Sequence, residues 1–154
     1  DVELVETLLS APGKKIVCGG TTSSIVSRMT GNPIQVELPS ISPNIPPWGR
    51  MQGVDLVTEG VVTITKVKEL VERYLAEEFL VADILRLHRG DAAAKLACMF
   101  IEDASSIHFL VGRAANPAHQ KPDTVLLLSK KLESIEQLGQ MLRTMGKQVE
   151  ISYY

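Results

Sequence analysis

The sequence predicts an α/β fold: a three-layer, open, mostly parallel sheet with helices on both faces, Rossmann-like in layout but not dinucleotide-binding. Three observations carry that expectation. Short β-branched runs such as Ile16-Val17 and Val54-Asp55-Leu56-Val57 alternate along the chain with stretches whose apolar residues recur at i, i+3, i+4. Glycines and prolines stand between them as turns and stops. A chain of 154 residues with 45% hydrophobic content is the size of one domain, 1–154, around one core.

Taken in order, Val2 to Leu9 sets apolar residues at 2, 5 and 9 and again at 4 and 8, a short amphipathic helix ended by Ala11-Pro12-Gly13. Lys15 to Cys18 reads as a buried strand. Gly19-Gly20 turns the chain, Thr21, Thr22 and Ser23 are helix-capping types, and Ile25, Val26 and Met29 face the core of a helix reaching Thr30, with Gly31 as its stop. Pro33 to Leu38 alternates Ile34, Val36 and Leu38 with polar residues, a half-buried strand near a sheet edge. From Pro39 to Gly53 four prolines and Trp48 suggest a loop, read as a flap anchored by the tryptophan. Val54 to Thr58 is a second buried strand with Glu59-Gly60 as its turn.

Thr63 or Thr65 is expected to cap the next helix, with Val67, Leu70, Val71, Tyr74 and Leu75 inward. Residues 77–90 form a helical connection. Asp91 caps a helix carrying Ala93, Ala97, Phe100, Ile101 and Ala104 on one face. Ile107 to Val111 is a third buried strand, in which His108 reads as a core residue and His88 as a surface one. A polar loop runs from Arg113 to Asp123. Thr124 to Leu128 reads as a strand, Leu132 to Thr144 as a helix with Ile135, Leu138, Leu142 and Met145 aligned, and Val149 to Tyr153 as the last strand.

Several functional classes are disfavoured. Net charge is -2 and aromatic content 5%, so neither a basic stripe nor a base-stacking platform points to nucleic acid. No apolar run reaches the length of a membrane span, and no signal peptide is visible. Cys18 and Cys98 lie in apolar surroundings without metal spacing and read as reduced thiols of a cytoplasmic protein. No two histidines have metal spacing, and no cofactor is implied. The chain begins at Asp1, which reads as a removed leader or tag, or as a piece of a longer protein.

Ligands of open α/β sheets bind beyond the carboxyl ends of the strands. Three loops of unusual chemistry leave such ends. Gly19, Gly20, Thr21, Thr22 and Ser23 offer backbone amides, hydroxyls and a helix dipole to an anion. Glu59 can hold a sugar or amine, Arg113 brings charge, and Asn116, His119 and Gln120 give polar readout. The competing reading is that Gly19-Gly20 is a packing turn whose hydroxyls only cap a helix. Gly19-Gly20 lacks the third glycine of a dinucleotide loop, and no Gly-Lys-Ser/Thr of a phosphate-binding loop follows. Cys18 with His119 as base is a conceivable nucleophile, but a strand-end cysteine is more often packed. Asp55 reads as structural, and Arg50 as a surface charge able to close over an anion.

Gly13-Lys14-Lys15-Ile16-Val17-Cys18-Gly19-Gly20-Thr21-Thr22, Ile45-Pro46-Pro47 and Gly53-Val54-Asp55-Leu56-Val57-Thr58-Glu59-Gly60-Val61-Val62-Thr63, with Phe109-Leu110-Val111-Gly112-Arg113-Ala114-Ala115-Asn116-Pro117-Ala118-His119-Gln120, extend over nearly the whole chain. They resemble the region after the catalytic domain in the bacterial stage II sporulation protein E-like serine/threonine phosphatases of the PPM, metal-dependent type. The resemblance implies an accessory C-terminal domain, with the phosphatase catalytic domain of the same chain as partner. No Asp-Gly dipeptide of the metal-binding kind occurs here, so no catalytic or metal residue carries over. Three functions follow as expectations: a regulatory domain sensing a small anionic, phosphate-bearing ligand; a small enzyme on a phosphorylated sugar with Glu59 as base; or a structural domain that forms a homo-oligomer.

Overall fold

The structure, a computed structural model, describes residues 1–37, 48–87, 89, 91–113 and 122–154. The chain divides into two compact units, Asp1–Thr63 and Ile64–Tyr154.

In the first unit, helix α1 (Val2–Ser10) buries Leu4 and Val5. Strand β1 (Ile16–Cys18) leads into α2 (Gly20–Thr30), and β2 (Gln35–Glu37), β3 (Trp48–Met51) and β4 (Val54–Thr58) complete a four-stranded mixed sheet in the order β1-β4-β3-β2. β1 and β4 are parallel neighbours, pairing Ile16 with Leu56, Val17 with Val57 and Cys18 with Thr58. Asp55 fixes that register from a distance: its Oδ2 accepts the Lys15 amide at 2.7 Å, and its own amide donates to the Lys15 carbonyl at 2.7 Å. Asp55 is therefore structural, as its position suggested. α2 buries Val26 and ends at Gly31, whose left-handed φ of 73° closes the last turn.

Two expectations are corrected here. Trp48 to Met51 is not part of a loop but a strand, antiparallel to both β2 and β4; the prolines stop at Pro47, and Trp48 is a good strand former. β2 lies at the sheet edge as expected, but all three of its residues are exposed rather than half-buried. Trp48 is half-buried under Arg50, whose guanidinium carbon lies 5.6 Å from the ring centre, and the Arg50 Nε is 3.9 Å from Glu37. Residues 38–47 lie outside the described part.

Helix α3 (Val61–Leu75) begins at the end of the first unit and runs into the second, where Val67, Leu70 and Val71 are buried. Helices α4 (Val81–Leu87) and α5 (Ala92–Cys98) follow. Asp91 caps α5 as expected, its Oδ1 accepting the Ala93 amide at 2.7 Å. The helix then widens into a π-helical turn, Met99–Asp103; Ala93, Ala97, Phe100 and Ile101 of the expected apolar face are all buried, while Ala104 falls just past the turn as its C-cap. Lys147 closes that turn: its Nζ donates to the carbonyls of Ile101 at 2.9 Å and Ala104 at 2.6 Å.

Strand β5 (Ser106–Val111) and strand β6 (Gln148–Tyr153) are parallel and joined through helix α6 (Pro122–Thr144). α6 lies over the face carrying Val149 and Ile151. A Cβ added to its Gly139 would come 3.3 Å from Ile151 Cδ1 and 3.4 Å from Val149 Cγ1. Ile135, Leu138 and Leu142 of α6 are buried, and the rings of Phe100 and Phe109 meet with centroids 5.8 Å apart.

The second unit brings three further corrections. Thr124 to Leu128 is not a strand; it is the early part of α6, where Pro122 starts the helix and the four-residue apolar run is too short to tell strand from helix. β5 is not buried throughout, because only one of its faces is covered. His108 therefore is not a core residue: it is exposed on the polar face, with Nε2 2.8 Å from Ser152 Oγ and 3.8 Å from Glu150. The expectation of one mostly parallel sheet gives way to two open sheets, the four-stranded mixed one and the two-stranded parallel one. The α/β class itself stands. His88 lies outside the described residues.

Candidate functional site

β1 and β4 run side by side in the same direction, and each delivers the chain through a glycine-containing turn into a helix. Two helix N-termini are thereby brought together at the carboxyl edge of one parallel pair. The contact between them is backbone on backbone. A Cβ built on Gly60 would lie 3.3 Å from Gly19 Cα, and one built on Gly19 would lie 3.8 Å from Gly60 Cα. Any larger residue at 60 would push the two turns apart.

Gly19 is the N-cap of α2, with φ 111° and ψ 137°, a conformation open in practice only to glycine. Its amide donates to the Thr58 carbonyl at 2.8 Å, and its carbonyl accepts the Ser23 amide at 2.9 Å. That second bond is the first turn of the helix. The amides of Gly20, Thr21 and Thr22 precede it and have no acceptor within the helix. The expected side-chain cap is not formed: the N-cap is Gly19, among the described residues no side-chain cap bond is made to α2, and its first turn holds no acidic residue. Ser23 is buried and spends its hydroxyl on the Gly20 carbonyl at 3.0 Å. Thr22 is half-buried and Thr21 exposed.

The neighbouring helix end is treated differently. Glu59 Oε2 accepts the Val62 amide at 3.2 Å, so a carboxylate sits at the N-terminus of α3. The cap expected from Thr63 or Thr65 is thus supplied by Glu59, and Thr63 is buried instead. Thr58, also buried, donates its hydroxyl to the Glu59 carbonyl at 2.7 Å and holds the turn. Glu59 remains exposed, and a carboxylate that accepts one bond keeps lone pairs for a hydroxyl or amine.

Of the residues expected to bind, the structure brings together Gly19, Gly20, Thr21, Thr22, Ser23 and Glu59. Arg113 belongs to the second unit, just beyond β5, where its amide donates to the Tyr154 carbonyl at 2.9 Å and its guanidinium carbon lies 5.6 Å from the Tyr153 ring centre. Asn116, His119 and Gln120 lie outside the described residues. Thr58 and Gly60 belong to the Thr58-Glu59-Gly60 loop that the sequence places at the site, but their roles as backbone acceptor and close-packed turn were not assigned from sequence. The signal for them was present in the repeated strand-turn-glycine-helix order of Cys18-Gly19-Gly20 and Thr58-Glu59-Gly60.

Cys18 ends β1 half-buried. Cys98 is buried, and burial, with Glu102 and Asp103 adding repulsion, pushes its thiol pKa above the usual value. Tyr153 is also raised, first by its hydrogen bond to Glu136 on α6. Among the described residues no three His, Cys, Asp or Glu side chains group to hold a metal ion, and no helix is long and apolar enough to cross a membrane. Comparison of the chain with protein-family models, curated proteins and solved structures gave no match.

Proposed function

We propose that this chain is a non-catalytic, ligand-sensing regulatory domain of a bacterial protein phosphatase of the stage II sporulation protein E-like family, and that it binds a small anionic ligand at the Gly19–Ser23 loop. The resemblance of the Gly13–Thr22, Ile45–Pro47, Gly53–Thr63 and Phe109–Gln120 stretches to the tail of that family is what supports the family reading. The contrast between the two helix ends supports the site: α3 receives a carboxylate from Glu59, whereas the N-cap of α2 is a glycine that has no side chain to place over the three leading amides. A ligand with an anionic group for α2 and a hydroxyl or amine for Glu59 matches both ends. Occupancy would bias the activity or assembly of the attached catalytic domain. The reading of Glu59 as a catalytic base is weaker, because its carboxylate is engaged as a helix cap.

The test is thermal unfolding of the chain against phosphates, nucleotides and carboxylates. A ligand at 100 times its dissociation constant adds about 2.7 kcal/mol. Gly20 is exposed and a Cβ there meets nothing within 4 Å, so Gly20→Val should leave the fold intact while blocking the amides. Protection that Gly20→Val removes supports the site; absence of protection by any anion at millimolar concentration overturns it.

A further inference from the structure

Helix α6 is too long for the sheet it covers. Its 23 residues span about 35 Å at ~1.5 Å per residue, whereas the six-residue strands β5 and β6 span about 20 Å. The surplus lies at the start of the helix. Ser134, Ile135, Leu138 and Leu142 are buried, all in the second half. Val125, Leu126 and Leu127, in the first half, are 65%, 56% and 52% exposed. With Leu128, four successive apolar residues sweep about 300° of the helix circumference. That one turn of the helix has no polar face to offer water, although charged residues flank it on both sides.

We propose that this segment is a self-association surface, occupied by the same segment of a second copy of the chain lying antiparallel across a two-fold axis. The charges flanking the leucines select that occupant. Exposed Asp123 lies three residues before Leu126, and exposed Lys130 three residues after Leu127, so Asp123, Leu126, Leu127 and Lys130 share one helical stripe at i, i+3, i+4, i+7. An antiparallel pair centred between the two leucines sets each Asp123 against the partner's Lys130, and does so twice. A parallel pair would oppose like charges. An anionic bilayer would meet Asp123 at the leading end of the stripe. Leu126 and Leu127 form the centre of the interface and Val125 its margin.

Sedimentation velocity over a concentration series tests this on the 154-residue chain. The chain should form a dimer that Leu126→Ser combined with Leu127→Ser converts to monomer, with an unchanged circular dichroism spectrum because both positions are exposed. Asp123→Lys and Lys130→Asp should each weaken the dimer about tenfold, since each turns two attractive pairs repulsive. An equimolar mixture of those two variants should recover the original affinity, because every charge then faces its opposite. A monomer at all concentrations overturns the proposal, whether or not it binds anionic phospholipid vesicles. So does a dimer that survives the double serine substitution, or a mixture no tighter than its components.

Discussion

Replacing Gly19 by alanine probes the turn on which the candidate site depends. The side chain itself has room, since its Cβ would meet Gly60 Cα at an ordinary 3.8 Å. The cost is conformational: at φ 111° and ψ 137° an L-residue loses about 1–3 kcal/mol relative to glycine. Gly60→Ala meets the opposite problem. Its backbone carries no positive φ, but its Cβ would stand 3.3 Å from Gly19 Cα, an atom pinned by the 2.8 Å bond from the Gly19 amide to Thr58. A shift of a few tenths of an ångström costs about 1 kcal/mol. The double variant should depart from additivity by about 0.5 kcal/mol or more, because both changes act on one gap. Urea unfolding followed by the fluorescence of Trp48, the only tryptophan, reads the first unit directly. In thermal unfolding each kcal/mol corresponds to about 2–4 °C for a chain of this size. Gly19→Ala within about 0.5 kcal/mol of the wild type, or strict additivity with Gly60→Ala, would refute the account of two turns locked backbone to backbone.

Two other outcomes follow from the second unit. Lys147→Met leaves the Ile101 and Ala104 carbonyls without their ammonium donor, costing about 1–2 kcal/mol, and hydrogen exchange should rise first at 99–105. Cys98 has a raised folded-state pKa, so the folded chain holds its proton where the unfolded chain has lost it; the contribution is complete below the unfolded pKa and is lost as pH rises through the folded value. Alkaline titration of stability should therefore show a shallower decline in Cys98→Ala than in the wild type.

Much of this was legible where local chemistry and burial agree. Asp91 stands before a run of alanines and leucine that all become buried, and it caps as its residue type dictates. Gly31 follows the last apolar position of α2 and ends it. The failures occur where tertiary context chooses between local options. Val125 to Leu128 has no period of its own; only the longer helix that contains it decides its state. The mostly apolar composition of β5 hides the fact that one of its faces is left uncovered, which puts His108 in the open. In the site, Thr21 to Ser23 have the composition of a cap, yet the sharp φ of Gly19 makes glycine the N-cap and turns Ser23 inward. The cap that forms at the neighbouring helix α3 comes from Glu59, whose carboxylate accepts the Val62 amide in place of the threonine hydroxyl that residue type suggested.

The pairing of β1 with β4 has a consequence for when a site at these turns can exist. Lys15 and Asp55, which set its register, are 40 residues apart, and Gly19 takes the partner for its amide from Thr58 rather than from its own neighbourhood. A peptide spanning only β1 and α2 would carry every residue of the Gly19–Ser23 loop and still lack the support that shapes it. The turn is a product of long-range closure, because Gly19 finds its acceptor on Thr58 only when β4 is paired with β1. A ligand held at the proposed site would rest on turns that both strands support, so its protection from exchange should extend to β1 and β4 together.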